Sequence, residues 1–275
     1  MTKRRSLAHL SDLHIGAGRK TEARAIALAE LLMATNVDHL VVTGDITNRG
    51  RREELERFRR IFAPWISEGK LTAVPGNHDC LGDGIDSEIM CGPRVTVKES
   101  PGLYMVLVNS TGPHNRSWVK GHGMLTPADI ADVSRTLDAA PQSALVVVLL
   151  HHHVLPLPGE NVVERLFSWV GWPFADELDA GAALLQSLAG RCDLILHGHR
   201  HHPVTVSLYE DQTRPLKVCN AGSSTALGGV RIFTHWAGRV MGMPGWLFVG
   251  GDFEVAERQR TKAEPAQVLV PELRG

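Results

Sequence analysis

Short apolar runs rich in β-branched residues alternate along this chain with segments whose apolar residues recur at helical spacing. Such alternation is typical of βαβ units and predicts an α/β fold. The runs predict strands at 7–10, 39–43, 71–74, 103–108, 144–150 and 193–196. Helices are predicted within 22–36, 52–65 and 126–140. The run at 144–150 is continuously apolar, which favours a central strand that is buried on both faces.

The predicted helix boundaries depend on capping residues and on proline. Thr21 is expected to cap the first helix and Thr126 the third, with Pro127 at the first helical position. Pro64 is expected to end the second helix. Beyond residue 216 the chain is rich in strand patterns, with candidates in KVCNAG, GVRIF and WLFVGGDFEV.

Length and composition favour one domain. The chain has 275 residues, of which 43% are hydrophobic and 21% charged, and this length can bury a sizeable core. We predict a single domain over 5–257, with an apolar insertion at about 155–178, followed by a polar tail at 258–275. The formal net charge of −1 provides no bulk field to attract nucleic acid or an anionic membrane.

The cysteine pattern and the hydropathy pattern favour a cytoplasmic protein. The four cysteines show no Cys-x-x-Cys spacing, so reduced thiols are expected. The basic N-terminus lacks the apolar core of a signal peptide, and no segment approaches the ~18 consecutive apolar residues of a membrane-spanning helix.

The segment VVERLFSWVGWPF, at 162–174, concentrates aromatic and aliphatic residues. One interpretation is a helix that is buried against the core or against the partner in a homodimer. The other is a lid or an apolar wall beside the active site. The sequence leaves both interpretations open.

Polar side chains follow the predicted strands at the points where they end. In chain order they are Asp12 and His14, then Asp45, then Asn77, His78 and Asp79, then His151, and finally His199 and His201. In open α/β sheets the carboxyl ends of the strands form a crevice in which functional groups collect. Each fragment alone is a weak signal, but their joint appearance at strand ends predicts a metal site.

These fragments resemble the five motifs of the calcineurin-like metallophosphoesterase superfamily. They read SDLH, TGD, PGNHD, LLHHH and GHRH, and NAGSS at 220–224 resembles a common follow-on segment. The resemblance implies a four-layer α/β/β/α sandwich that holds two metal ions.

The resemblance also implies a ligand set. Asp12, His14 and His201 would hold the first ion. Asn77, His151 and His199 would hold the second, with the carboxylate of Asp45 bridging the two. Mixed imidazole and oxygen ligands suit divalent or trivalent Mn, Fe or Zn better than Mg or Ca. Two such ions can hold a bridging hydroxide near neutral pH, which would attack phosphorus in line.

His78 and Asp79 are the predicted catalytic residues. His78 directly follows a predicted ligand, so its ring is expected to reach the leaving-group oxygen as a general acid. Asp79 is expected to hold the tautomer of His78. The alternative is that His78 merely stabilises its own loop.

The histidine clusters need individual interpretation. Many relatives carry HHP as the fourth motif, whereas this chain has His151, His152 and His153. His151 is the predicted ligand because it is the first residue after the strand, and His152 or His153 would replace it if the strand ended later. Near the fifth motif, Gly198 is expected to permit a sharp turn. His197 is expected to pack, while His202 faces solvent.

The motif details bear on the substrate. Ser/Thr protein phosphatases of this superfamily carry GDxxDRG and GNHE and lack the GHxH ending, whereas this chain has GDITNRG, GNHD and GHRH. It is most similar to the bacterial branch that includes class III cyclic-nucleotide phosphodiesterases. We therefore predict hydrolysis of a small phosphodiester, with a 3′,5′-cyclic nucleotide as the leading candidate. Alternatives are a lipid-linked or nucleotide pyrophosphatase, a DNA nuclease related to Mre11 or SbcD, a phosphomonoesterase and a non-catalytic scaffold.

Overall fold

The computed structural model describes residues 3–118, 121–155, 178–250 and 254–255. The apolar segment 162–174 and the tail 258–275 lie outside the described residues. The insertion predicted at 155–178 is described only at its two end residues.

Apolar and β-branched runs form the strands, which in chain order are numbered β1 to β15. They are β1 (Arg5–Leu10), β2 (His39–Thr43), β3 (Leu71–Val74), β4 (Val95–Ser100), β5 (Leu103–Val108), β6 (Gly123–Met124), β7 (Leu145–Leu149), β8 (Leu178–Asp179), β9 (Leu194–His197), β10 (Val204–Leu208), β11 (Leu216–Asn220), β12 (Gly229–Trp236), β13 (Arg239–Val240), β14 (Gly245–Phe248) and β15 (Glu254–Val255).

The strands form two large sheets. The first has the order β15-β14-β12-β1-β2-β3, with β13 beside β12, and the second has the order β10-β11-β9-β7-β5-β4. β1, β2 and β3 are parallel in the first sheet, and β5, β7, β9 and β11 are parallel in the second. A small sheet pairs β6 with β8. Parallel neighbours end at one edge, so the loops after these strands meet there.

Helices cover the outer faces of both sheets. They are α1 (Arg19–Ala34), α2 (Arg52–Ile61), α3 (Ala63–Ser67), α4 (Asp86–Ile89), α5 (Pro127–Asp138), α6 (Gly181–Leu188) and α7 (Ser224–Leu227). Leu28 and Phe58 of α1 and α2 share a buried cluster with Leu40 of β2. Val133 and Leu184 of α5 and α6 share another with the second sheet. The four-layer α/β/β/α prediction is therefore confirmed.

The layer between the sheets is apolar with buried polar links. Its apolar cluster includes Leu7, Met105 and Phe233, which come from both sheets. His39 is 1% exposed and joins the sheets through its ring: Nε2 lies 2.8 Å from Thr72 Oγ1 on β3, and Nδ1 lies 3.2 Å from Ser100 Oγ on β4. Burial lowers the pKa of His39 to about 4, so this ring is neutral near pH 7.

Three local predictions differ from the structure. The first helix begins at Arg19 with Gly18 as its N-cap, so Thr21 lies inside the first turn and does not cap it. The WLFVGGDFEV run is divided into β14 and β15, with Gly250 in the left-handed region at φ 77°. The edge strands β4 and β10 were not predicted because their residues alternate between less and more exposed positions and do not form apolar runs.

Other predictions hold. The second helix ends at Ile61, before Pro64, and Thr126 caps α5 by accepting from Asp129 N. All four cysteines are free thiols. Among the described helices, none combines the length and the apolarity that crossing a bilayer requires.

Candidate metal centre

The seven predicted ligands come together at the edge where the parallel strands end. Asp12 and His14 follow β1, Asp45 follows β2 and Asn77 follows β3, all from the first sheet. His151 follows β7, and His199 and His201 follow β9, in the second sheet. The donors divide into an outer group (Asp12, His14 and His201) and an inner group (Asn77, His151 and His199).

The outer group is partly open to solvent. His14 Nε2 lies 3.1 Å from His201 Nε2, which in turn lies 3.3 Å from Asp12 Oδ1. The side chain of His201 is 48% exposed, while that of Asp12 is fully buried. Contact with Asp12 raises the pKa of His201, whereas burial lowers the pKa of His14.

The inner group is more enclosed. His151 Nε2 and His199 Nδ1 each lie 3.1 Å from Asn77 Oδ1, and they lie 3.3 Å from each other. The side chain of His151 is fully buried, and its Nδ1 lies 2.8 Å from the carbonyl oxygen of Thr43. A carbonyl can only accept, so the proton of a neutral His151 ring stays on Nδ1, and Nε2 faces the group as a lone pair.

Asp45 connects the two groups. Its Oδ1 lies 3.5 Å from His151 Nε2, and its Oδ2 lies 3.9 Å from His14 Nε2. Burial alone would raise the pKa of Asp45, but the charges of His151, His14 and His78 hold it well below the usual range. Burial would likewise lower the pKa of His151, but the charge of Asp45 raises it to about 9. The carboxylate of Asp45 therefore stays ionised and favours positive charge beside His151.

The donors fit transition-metal ions. Two donors on one ion, with bonds of about 2.0–2.1 Å, lie about 3.0–3.4 Å apart. Five donor contacts within the groups measure 3.1–3.3 Å, and those of Asp45 with His151 and His14 measure 3.5 and 3.9 Å. Burial lowers the pKa of His199 well below its ordinary value, which keeps this imidazole neutral as metal ligation requires.

Backbone strain is concentrated in this site. Nine non-glycine residues in the described ranges have positive φ angles, and five of them are predicted ligands. They are Asp12 (51°), His14 (47°), Asp45 (47°), His199 (76°) and His201 (54°). Such conformations are uncommon for non-glycine residues and persist where the surrounding structure enforces them, frequently at functional sites.

Gly198 acts differently from the prediction. Its own φ is outside the left-handed region, and the left-handed turns fall on His199 and His201. A Cβ at Gly198 would collide with the side chains of Ser11 and Asp12. Gly198 therefore permits a close approach, which lets the backbone N–H of His199 donate to the Asp12 carboxylate at 3.0 Å.

His78 lies beside the outer group. Its ring makes an edge contact with His14, at 4.6 Å between centroids, and another with Trp118, at 5.2 Å. Its backbone N–H donates to Asp45 Oδ1 at 2.8 Å, and its Nδ1 lies 2.8 Å from the carbonyl oxygen of Asn48. Nδ1 therefore donates to that carbonyl, and Nε2 is the nitrogen that a substrate can use.

The expected contact between Asp79 and the His78 ring is wrong. Asp79 is fully buried, and its carboxylate accepts from the backbone N–H groups of Ile46, Thr47 and Gly76 and from the Thr47 hydroxyl. Burial, and secondarily the charge of Asp45, raise the pKa of Asp79 to about 6. Asp79 ties the loop of Asp45 to the loop of Asn77, whereas the Asn48 carbonyl sets the tautomer of His78.

The histidine triplet has three different environments. His151 makes the inner-group contacts, in agreement with its position directly after the strand. His152 also brings a ring nitrogen within 4.8 Å of donors on His151 and His199. Its ring is fully buried, and its Nδ1 lies 2.9 Å from Ser110 Oγ. His153 stacks on His199 at 5.8 Å between centroids.

The NAGSS segment supports the site in a way that the sequence did not predict. Asn220 donates to the Gly198 carbonyl at 2.7 Å, and Ser223 donates to the Asp12 carbonyl at 2.8 Å. Ser224 Oγ accepts from Ser11 N at 3.1 Å. The sequence feature that could have revealed this role is the position of NAGSS at the end of β11, because β11 is the parallel neighbour of β9. Beside it, His197 is buried at 2% exposure and His202 is exposed, as predicted.

Comparisons with known proteins agree with this arrangement. A sequence model of the calcineurin-like phosphoesterases matches residues 5–203. The 3′,5′-cyclic adenosine monophosphate phosphodiesterase CpdA of Vibrio vulnificus is 28% identical over 164 residues, which cover 54% of this chain and 56% of that protein. The match thus spans about half the length of this curated relative.

Solved structures show the same fold at low sequence identity. A dimetal phosphatase from Danio rerio is 12% identical with a TM-score of 0.61, and the match covers 87% of this chain and 98% of that one. A purple acid phosphatase from yellow lupin (Lupinus luteus) seeds is 12% identical with a TM-score of 0.64, covering 93% and 53%. With the family match extending over most of the sequence, the chain belongs to the calcineurin-like phosphoesterase family.

Proposed function

We propose that the protein is a metal-dependent phosphoesterase that hydrolyses a small phosphodiester, with a 3′,5′-cyclic nucleotide as the leading substrate. The proposal is carried by one observation: Asp45 contacts both donor groups and accepts a hydrogen bond from the backbone N–H of His78. The name of the Vibrio vulnificus relative supports a cyclic diester over a monoester.

The two donor groups would hold two ions of Mn, Fe or Zn. The outer group would bind one and the inner group the other, with Asp45 contributing to both. When bound, such a pair of ions supplies an activated water as the nucleophile and positive charge for the phosphoryl oxygens. The mixture of imidazole, carboxylate and amide donors is the chemistry that these metals accept.

His78 would act as the general acid. Because Nδ1 donates to the Asn48 carbonyl, the proton exchanged with the leaving group is carried on Nε2. The backbone N–H of His78 donates to Asp45, so the position of the acid is fixed relative to the carboxylate that both groups share. Proton transfer from a positioned side chain of this kind contributes typically ~10²–10⁴-fold.

His152 would orient a phosphoryl oxygen. Ser110 Oγ accepts from the backbone N–H groups of both His151 and His152 at 3.3 Å, which occupies its two lone pairs. Its hydroxyl proton then goes to His152 Nδ1, and the ring proton of His152 lies on Nε2. A preorganised N–H donor in a buried site stabilises charge that develops on oxygen.

The test is a metal-reconstitution assay with four substrates. The purified protein is stripped and reloaded with Mn, Fe or Zn, then assayed with bis(p-nitrophenyl) phosphate, p-nitrophenyl phosphate, cyclic AMP and single-stranded DNA. We expect metal-dependent turnover of bis(p-nitrophenyl) phosphate and cyclic AMP, lost in Asn77→Ala, and no cleavage of DNA. The control is Asp211→Ala, because Asp211 is exposed on the turn between β10 and β11, at the opposite edge.

Other results would replace the proposal. Turnover without metal, or full activity in Asn77→Ala, would refute the proposed metal-dependent mechanism. Preference for p-nitrophenyl phosphate would make the protein a phosphomonoesterase, and DNA cleavage would make it a nuclease. The homodimer, the cytoplasmic location and the domain limits 5–257 stay predictions.

A further inference from the structure

An exposed tryptophan lies next to the proposed general acid. Trp118 is 63% exposed, and its ring meets the ring of His78 edge-on at 5.2 Å between centroids. Exposing so large an apolar ring to water costs free energy. Single exposed apolar residues are nevertheless common, so exposure alone does not indicate a function. Its contact with His78 is the feature that requires one.

The loop that carries Trp118 is braced internally. It leaves the carboxyl end of β5, where Asn109 Oδ1 accepts from Thr111 N at 3.0 Å and from Thr111 Oγ1 at 2.7 Å. Asn115 is fully buried and accepts from Gly112 N at 2.6 Å. These contacts brace residues 109–115, the part of the loop that leads to Trp118, and a preorganised segment loses less entropy on binding.

The stacked pair of His114 and His122 adds to this bracing. Their rings are 3.9 Å apart with an interplanar angle of 8°, and His114 Nε2 lies 2.7 Å from the His122 carbonyl oxygen. These contacts join His114, on the chain that leads to Trp118, to His122, the second residue of the next described segment.

The position of Trp118 defines which part of a substrate it meets. The general acid must face the leaving-group oxygen. The part of a substrate that lies past His78, toward Trp118, is therefore the organic part of the leaving alcohol. The ring of His78 contacts both His14 of the outer group and Trp118, so the three rings form a continuous series from the donors to the exposed indole.

We propose that Trp118 is a stacking platform that selects phosphodiesters with a flat aromatic ring, such as a nucleobase, on the leaving-group side. This inference rests on the proposed function and names the substrate class of the same site. Base–aromatic stacking tolerates different bases, because every base has a π-face. The site is therefore expected to distinguish substrates with and without a base more strongly than purine from pyrimidine.

The test compares two diesters that share the same scissile bonds. Cyclic AMP carries a base, and the 3′,5′-cyclic phosphate of a base-free sugar does not. In Trp118→Ala we expect kcat/KM for cyclic AMP to fall by about 10- to 100-fold, mainly through KM, with little change for the base-free diester. Trp118→Phe should retain most of the discrimination, since it keeps an aromatic face.

A matched control uses another exposed tryptophan. Trp236 is 45% exposed at the end of β12, which is antiparallel to β1, so it lies at the edge opposite the site. Trp236→Ala should leave both substrates unchanged. An equal fall for both substrates in Trp118→Ala, or a wild-type enzyme that treats both alike, would overturn the inference.

A binding measurement separates this inference from the proposed function. Adenosine 5′-monophosphate should quench the tryptophan fluorescence of the wild-type protein and of Trp236→Ala, but much less that of Trp118→Phe. Quenching that survives in Trp118→Phe overturns the stacking role, whatever the turnover. Absence of metal-dependent turnover of all three diesters (cyclic AMP, the base-free diester and bis(p-nitrophenyl) phosphate) overturns the proposed function, while selective quenching would still support the stacking platform.

Discussion

The two donor groups use similar atoms in different surroundings. In the inner group, His151 is fully buried and its tautomer is set by the Thr43 carbonyl. In the outer group, the side chain of His201 is 48% exposed. The charged oxygen of the outer group comes from Asp12, whereas Asn77 gives the inner group a neutral one.

From this difference we expect the two groups to serve different purposes. The enclosed group should retain its ion, while the group that is open to water should exchange its ion and receive substrate. His78 contacts the outer group through His14, so the proton donor lies on the open side. We therefore expect the outer ion to leave before the inner one, although both groups share Asp45.

The largest effect should come from removing the link between the groups. Asp45→Asn keeps the shape of the side chain but removes the charge that raises the pKa of His151. Both groups should lose affinity for metal, and diester turnover should fall on the order of 10³-fold. Metal content by mass spectrometry and steady-state kinetics measure the two effects, with Asp211→Asn as the control. A variant that holds two ions at wild-type activity would show that the groups are independent.

A smaller effect on turnover should come from His152, a neighbour of the inner group. His152→Ala removes the proposed donor to a phosphoryl oxygen, and turnover should fall about 10²-fold while both ions stay bound. His153→Ala is the matched control, because it removes the adjacent ring that stacks on His199. If His152→Ala loses one ion, then His152 is a metal ligand of the inner group. If the two variants lose activity equally, the proposed role of His152 is wrong.

The smallest effect should appear outside both groups, on stability alone. His39 has a pKa of about 4 in the folded protein, against about 6.5 when unfolded, so the unfolded chain binds the proton first. The neutral ring therefore contributes fully to the free energy of unfolding above pH 6.5, and this contribution is lost as the pH falls toward 4.

This pH dependence can be measured by urea unfolding. Between pH 7 and pH 4.5 the wild-type free energy of unfolding should fall by about 2 kcal/mol more than that of His39→Gln. Comparing the two proteins cancels the histidines of the metal site. Parallel pH profiles for the two proteins would contradict the assignment of a neutral, buried His39.

The sequence predicted which side chains gather at the strand ends, but it did not predict their hydrogen bonds to backbone groups. Asp12, Asp45 and His199 are identified by following apolar runs, because parallel strands deliver their next residues to one edge. The sequence could not show that the Asn48 carbonyl holds His78, since any residue supplies a carbonyl. That ambiguity is why Asp79 received the wrong partner.

The remaining differences have a similar physical origin. The alternating edge strands β4 and β10 resemble surface segments, because half of their side chains face water. The left-handed φ angles of His14 and His201 were not predicted from the sequence, because positive φ is uncommon for any non-glycine residue. Trp118 lies outside the motifs, and only its contact with His78 identifies it.

The measurement that tests the central claim most directly is metal content during chelation, for the wild-type protein, His201→Ala and Asn77→Ala, with diester turnover followed in parallel. We predict that the wild-type chain holds two ions and releases them in two phases, with activity lost in the first. Each variant should hold one ion. His201→Ala should keep the slowly released ion, and Asn77→Ala the rapidly released one. A wild-type chain that holds a single ion at full activity, or that releases two ions in one phase, would contradict the account.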